Sequence, residues 1–210
     1  LRNGDLGSAL AEFVRAADLM PNDFDVTIRA ATLLLTAGRA DDALIKAETA
    51  LKLKPQDVTA HVVRGNALAG LKSFDEALKA IEEAIRLDPA RGATFTQKAF
   101  IEVASGRRAE AEKTFRKAIE MAPKAVEGYL ALGNYYWTLG RAAETEETFR
   151  AALKVKPNDL AANRAMAALA LATGRTAEAE AYLRTSADTS RDPGSVIALV
   201  NYYLLTGRSK

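Results

Sequence analysis

The chain has 210 residues, 29 of them basic and 27 acidic, for a net charge of +2 and an apolar content of 49%. That balance is ordinary for a soluble protein and gives no electrostatic reason to expect nucleic acid or an anionic membrane surface as partner. With no cysteine and a single histidine, disulfides, thiol nucleophiles, cysteine-built zinc sites and multi-histidine metal sites are excluded. No apolar run approaches the roughly 18 residues of a membrane span, so no direct membrane insertion is expected. No signal peptide opens the chain, and cytoplasm and periplasm are equally compatible with the composition.

In chain order, Leu1 to Asn3 read as the last residues of a helix, Gly4-Asp5 as a turn, and Leu6 to Met20 as a second helix. Pro21 stops that helix, because proline cannot continue the hydrogen-bond ladder. Five full units follow, over residues 24–57, 58–91, 92–125, 126–159 and 160–192. The segment 193–210 opens a further unit, its SVIALVNYYLLTGR aligning with GYLALGNYYWTLGR. The register rests on Pro21, Pro55, Pro89, Pro123 and Pro157, each 34 residues after the last. Gly4, Gly38, Gly106, Gly140 and Gly174 keep the same spacing, with Lys72 in the missing place. A period of this length marks a helical solenoid. Within a unit, Tyr129, Leu132, Gly133 and Tyr136 form one helical face, and Phe149, Ala152, Leu153 and Val155 another. Neither helix is long enough to be stable alone, so the two are expected to fold back as an antiparallel hairpin.

The local chemistry fits these boundaries. Asp23, Asp57 and Asp159 are placed to cap the helices that follow the prolines, and Ser73-Phe74-Asp75-Glu76 reads as a capping box. Small residues at Ala31, Gly65, Ala99, Gly133 and Ala167 are expected to let paired helices approach closely. Thr27, His61 and Asn163 take the place of Tyr129, Arg64 and Lys98 that of Leu132, and Glu102 that of Tyr136. Lys98 and Glu102, one turn apart, are expected to pair. The stretch from Thr185 to Asp192 is irregular, and the next proline comes 36 residues on, so a looser connection is expected there. A solenoid that begins and ends in mid-unit exposes apolar faces at both ends. The sequence therefore reads as a fragment of a longer array, with self-association through the uncapped ends as a further expectation.

The repeated residues resemble the tetratricopeptide repeat (TPR) family. Tyr129, Leu132-Gly133, Tyr136, Phe149, Ala152 and Pro157 match its pattern, while Thr145 replaces the mid-repeat alanine. The resemblance covers the whole chain and implies an all-α fold, a right-handed superhelical α-solenoid forming one array. It also implies that the first helix of each repeat lines a concave groove holding a protein or peptide partner. Carried over by position, that face comprises Ile28, Thr32, Leu35 and Thr36, then Val62, Asn66 and Ala69, then Thr96, Phe100 and Val103. Leu130, Asn134 and Trp137 follow, with Arg164, Ala168 and Leu171, and finally Ile197, Asn201 and Leu204. The face is mostly apolar. Phe100 and Trp137 are candidate anchors, and Asn66, Asn134 and Asn201 are candidate amides for holding a peptide backbone. Arg164 is its one cation, so a largely uncharged segment is expected and no carboxylate clamp.

Other readings stand beside this one. The asparagines could serve only to stabilise neighbouring helices, Trp137 could be buried against the next repeat, and the groove could hold another part of the protein's own chain. An alternative function is a docking or regulatory arm of a larger bacterial enzyme, secretion or polysaccharide-export assembly. Catalysis is not expected, because His61 falls in a repeated packing slot and the acidic runs lie on polar helix faces. No P-loop or GxGxxG occurs, and no cofactor is expected. Arg107, Arg108, Lys113, Arg116 and Lys117 are interleaved with Glu110, Glu112 and Glu120, so a solvated face is expected rather than a nucleic-acid site.

Overall fold

The structure is a computed structural model that describes residues 3–190 and 192–207. Its described residues form twelve α-helices and no strand. They are α1 (Asn3–Leu19), α2 (Phe24–Thr36), α3 (Ala40–Leu53), α4 (Val58–Gly70), α5 (Phe74–Leu87) and α6 (Gly92–Ala104). The rest are α7 (Arg108–Met121), α8 (Val126–Thr138), α9 (Ala142–Val155), α10 (Leu160–Ala172), α11 (Thr176–Ser190) and α12 (Pro193–Thr206). This is the all-α helical-repeat solenoid that the period predicts. The chain divides into two compact units, α1–α7 and α8–α12, each taken by itself below.

In the first unit α2 pairs with α3, α4 with α5 and α6 with α7; in the second α8 pairs with α9 and α10 with α11. The turn inside each hairpin needs one residue in the left-handed region. Gly38, Gly106, Gly140 and Gly174 supply it at φ +69° to +80°. Lys72 supplies it at +62°, the one non-glycine residue with positive φ among those described. The following amide then reaches back to close the helix end, as Arg141 N does to Tyr136 O at 3.0 Å and Ser73 N to Leu68 O at 2.9 Å. Pro55, Pro89, Pro123 and Pro157 each lie two residues past a helix end, whereas Pro193 begins α12 at a position that needs no amide donor.

The seams inside the hairpins depend on missing side-chain volume. A Cβ added at Gly65 would lie 2.7 Å from Ile81 Cδ1, and one at Gly133 would lie 2.6 Å from Phe149 Cδ1. Ile81 and Phe149 thus pack on bare backbone and are almost wholly buried.

Three expectations need correction. Asp23, Asp57 and Asp159 do cap α2, α4 and α10, accepting from amides at 2.8–3.1 Å, but Ser73 makes no side-chain capping bond. The reason is backbone geometry. The aspartates are extended, with ψ of 108° to 124°, while Ser73, directly after the left-handed Lys72, has ψ of 65°. Its hydroxyl is therefore not aimed at the first helical turn.

Gly4 and Asp5 belong to α1 instead of a turn. The reading of Leu1 and Arg2 lies outside the described residues. Thr185 to Ser190 continue α11 as helix instead of forming a loose connection. Beyond them Asp192 caps α12 through Ser195 N at 3.1 Å, and Ser190 Oγ accepts from Asp192 N at 3.2 Å. Along this stretch serine hydroxyls are satisfied one turn back, Ser186 on Tyr182 O and Ser190 on Ser186 O, each at 2.9 Å, so that Ser186 is buried without an unpaired hydroxyl.

Candidate functional site

The slot of Tyr129 recurs with one geometry and changing chemistry. Tyr129 Oη donates to Pro123 O at 3.0 Å, Asn163 Nδ2 to Pro157 O at 2.9 Å, and His61 Nε2 lies 2.9 Å from Pro55 O. Each side chain reaches six residues back and satisfies the proline carbonyl left free past the preceding helix. His61 is thereby engaged in the fold. Thr27, buried in the same slot, is too short, and its hydroxyl has no partner. The signal was in the sequence: residues able to donate, at a constant distance after a proline.

Glu102 replaces Tyr136 at a site that is 5% exposed, and its Oε2 has no partner. Burial pushes its carboxyl up from the ordinary value, against the opposing pull of Thr114 and Lys98. The expected pair with Lys98 is present at 3.9 Å, but the ammonium is closer to Glu82 on α5, at 2.8 Å. Among the basic residues at the start of and along α7, Arg107 pairs with Asp75 of α5, Arg116 with Glu112, and Lys117 with Glu120.

The first helices keep two faces. Leu132, Gly133 and Tyr136 are buried against α9. On the other face Thr32, Phe100, Asn134, Trp137, Ala168, Leu171, Ile197, Asn201 and Leu204 are exposed, and Asn66 and Val103 are half-buried. Ile28 departs from the expectation: it is 9% exposed and belongs to the core with Ala31, Ala47 and Val63. Leu35 and Leu130 are intermediate, packing partly into neighbouring core clusters. Thr32 turns its hydroxyl onto Ile28 O at 2.8 Å and keeps little for a ligand.

Phe100 is 48% exposed and stands edge-on to Phe115, with ring centroids 5.3 Å apart. Trp137 is 37% exposed and opens onto a cleft of about 170 Å³ that Leu169 and Ala172 of the next hairpin also line. Burial against the next repeat thus accounts for only part of its surface.

Within the first unit α2 touches α4 and α4 touches α6, and within the second α8 touches α10. Among the described residues no such contact joins α3 to α5, α5 to α7, or α9 to α11. In the first unit, therefore, the first helices crowd together and the second helices splay apart, which puts α2, α4 and α6 on the inner side of its local bend; in the second unit α8 touches α10, while among the described residues α10 and α12 make no such contact.

Arg164 is already engaged. Its Nη2 lies 2.5 Å from Asp192 Oδ2 and 2.6 Å from Ser195 Oγ, so it ties α10 to the start of α12. That hydrogen bond also holds the Asp192 carboxyl below its ordinary value. Sequence spacing gave no sign of this lock, because Asp192 lies outside the 34-residue register. The three candidate amides differ from Asn163. Asn163 is buried and donates to both Pro157 O and Asp159 O, at 2.9 Å each. Asn66, Asn134 and Asn201 have no side-chain hydrogen bond among the described residues, and none of them is fully buried.

Stacked helix hairpins with open inner faces define a helical-repeat scaffold. One family model described as tetratricopeptide repeat matches residues 1–57, 28–91 and 98–149, and a second with the same description matches 136–200. The chain belongs to the tetratricopeptide repeat family, whose members are generally non-catalytic scaffolds for protein–protein interaction. No curated protein matches it in sequence.

Solved structures share its fold. TTC0263, a thermophilic TPR protein of Thermus thermophilus, is 22% identical over 87% of this chain and 100% of its own, with a TM-score of 0.66. Pseudomonas aeruginosa pilF is 17% identical over 88% and 84%, with a TM-score of 0.64. YrrB, described as a TPR protein with an unusual peptide-binding site, is 21% identical over 90% and 97%, with a TM-score of 0.53. Among the described residues no helix is long and apolar enough to cross a membrane.

Proposed function

We propose that the chain is a binding scaffold, not an enzyme, and that the open faces of its first helices hold an extended, largely uncharged segment of a partner protein. The observation that carries this reading is the set of unspent amides. Asn66, Asn134 and Asn201 are accessible and unbonded, while Asn163, the asparagine in a packing slot, has both of its bonds made within the chain. An amide with no work inside the fold can give one donor and one acceptor to a peptide backbone without reading its side chains. Phe100 and Trp137 supply aromatic surface beside them, each on its own unit. Arg164, the one cation among the described residues carried over to this face, is bound to Asp192 and is not free to hold a carboxylate. YrrB, which shares this fold, has an unusual peptide-binding site, which agrees with this reading in kind.

Selection of a binder from a random peptide library, followed by titration, tests it. Trp137→Ala is expected to weaken the selected peptide by about tenfold or more, as for a hot-spot aromatic. Asn134→Ala is expected to weaken it by several-fold, about 1 kcal/mol for a lost hydrogen bond. Helical content should be unchanged in both. Equal affinity for wild type and both variants would count against the open face as the binding surface.

A further inference from the structure

The first residue of each odd-numbered helix meets the end of the first helix of the next hairpin, and its size decides how that junction is filled. In the first unit two such junctions are closed. At the start of α5, Phe74 packs its ring against the core cluster that includes Ala77 and Ile101. At the start of α3 the residue is Ala40, and the backbones close up instead: a Cβ added at Gly70 on α4 would lie 2.9 Å from Ala40 Cβ.

The start of α9, in the second unit, has neither device. Ala142 stands in the register of Phe74, and Ala172 in that of Gly70. Between them lies the cleft of about 170 Å³ beside Trp137, also lined by Thr145 and Leu169, the counterparts of Ala77 and Ile101. The side-chain hydroxyls lining it are spent. Thr145 Oγ1 donates to Arg141 O at 2.8 Å, and Thr173 Oγ1 donates to Leu169 O at 2.8 Å while accepting from Arg175 Nε at 3.0 Å. A polar group pushed into this cleft would lose its water and gain no side-chain partner. Trp137 belongs to two surfaces at once. It lines the cleft, and it stands three residues after Asn134 on the same side of α8. The cleft is therefore continuous with the open face.

We propose that this cleft is a specificity subsite for a phenylalanine side chain of the partner segment, an inference that rests on the open-face reading above. The partner's ring takes the place that Phe74 fills from within the chain in the first unit, with the Trp137 indole beside it as an aromatic neighbour. The size suits one ring, since a dry apolar cavity of roughly 150 Å³ holds benzene. Tyrosine fits less well, because its hydroxyl would be carried down to threonines that have no bond left to give.

The test titrates the full 210-residue chain into fluorobenzene, read by fluorine NMR and by the emission of Trp137, the single tryptophan of the chain. Saturable binding with a shift in emission is expected. Ala142→Phe, which fills the cleft as Phe74 fills its own junction, should abolish that binding with helical content unchanged. Ala172→Leu should do the same from the opposite wall. A peptide selected from the random library should carry a phenylalanine whose replacement by alanine weakens binding to the wild-type chain about tenfold, and binding to Ala142→Phe not at all. Tyrosine in its place should weaken binding to the wild-type chain several-fold. The subsite is overturned if fluorobenzene fails to bind, or binds both filled variants as well as wild type. It is also overturned if selected peptides bind wild type and Ala142→Phe equally, a result that leaves the open-face reading standing. Binding of fluorobenzene with no peptide selected would instead overturn the open-face reading, and with it the assignment of the ring to a partner segment. Dimers of the chain that Ala142→Phe dissociates would overturn the proposal too, since a second copy would then fill the cleft.

Discussion

The hairpins α6–α7 and α8–α9 are built on one pattern and filled differently. In α8–α9 the aromatic slot holds Tyr136, 2% exposed, with the Arg141 guanidinium 4.4 Å from its ring centroid. In α6–α7 the same slot holds Glu102, with an unpartnered oxygen, and the register-equivalent arginine, Arg107, turns away to Asp75. Both hairpins nevertheless form over the same length and turn geometry. What they share is the seam: a phenylalanine on the second helix, Phe115 or Phe149, opposite a small residue on the first, Ala99 or Gly133. The seam therefore carries the fold, and the aromatic slot adjusts its stability. Residues on the open face take part in neither.

The largest effect is expected where the seam is broken. Gly133→Leu must push Phe149 aside, because even a Cβ at that position lies well inside contact distance of its ring. A loss of about 3 kcal/mol, the upper end for overpacking, should appear as a lower denaturant midpoint. If instead Gly133→Leu is tolerated with a loss below about 1 kcal/mol, the seam is not what the two hairpins have in common.

A smaller effect is expected at the slot where they differ. Burial raises the Glu102 carboxyl above its ordinary value. Between the unfolded and folded pKa values the native state keeps a proton that the unfolded chain has released, so stability falls as pH rises through that window. The contribution is fully present below about pH 4, the unperturbed glutamate range, and is lost above the raised folded value. Glu102→Gln removes the charge, and should stabilise the protein at pH 7 by about 2 kcal/mol, within the range for a buried group lacking a partner. The gain should shrink when both proteins are unfolded at pH 4. An equal difference at the two pH values would mean that ionisation of Glu102 costs nothing in the fold.

Much of this architecture was legible because the decisive residues act locally. Proline, left-handed glycine and helix-capping aspartate each impose a backbone geometry whatever lies around them, and at a constant spacing they mark out the hairpins. Three features were not legible, for physical reasons. Ser73 has the right side chain for a cap, but its backbone angle is set by the turn before it. The helix through Thr185 to Ser190 buries a serine, Ser186, whose hydroxyl is satisfied on Tyr182 O, a polar core position that apolar periodicity does not register. On the open face, sequence spacing identified the helix side but not the depth. Ile28 and Asn134 lie on the same expected face, yet Ile28 enters the core and Asn134 remains in solvent.

The smallest effect tests the turn that all these hairpins share. Gly140 holds φ +69° between α8 and α9 and Gly106 holds +80° between α6 and α7, at no steric cost. Lys72 holds +62° between α4 and α5, where a Cβ crowds the following carbonyl. A single L-residue in this region costs about 1 kcal/mol relative to glycine. Lys72→Gly should therefore stabilise the protein by about that amount, less the few tenths contributed by glycine's greater freedom in the unfolded chain. Gly140→Lys should destabilise it by a similar amount, with helical content unchanged in both. The two shifts in unfolding midpoint should be opposite in sign and comparable in size, because the two turns close through the same pair of backbone hydrogen bonds. If Lys72→Gly is instead destabilising, the lysine side chain contributes something at that turn that outweighs its backbone strain, and the turns are not equivalent.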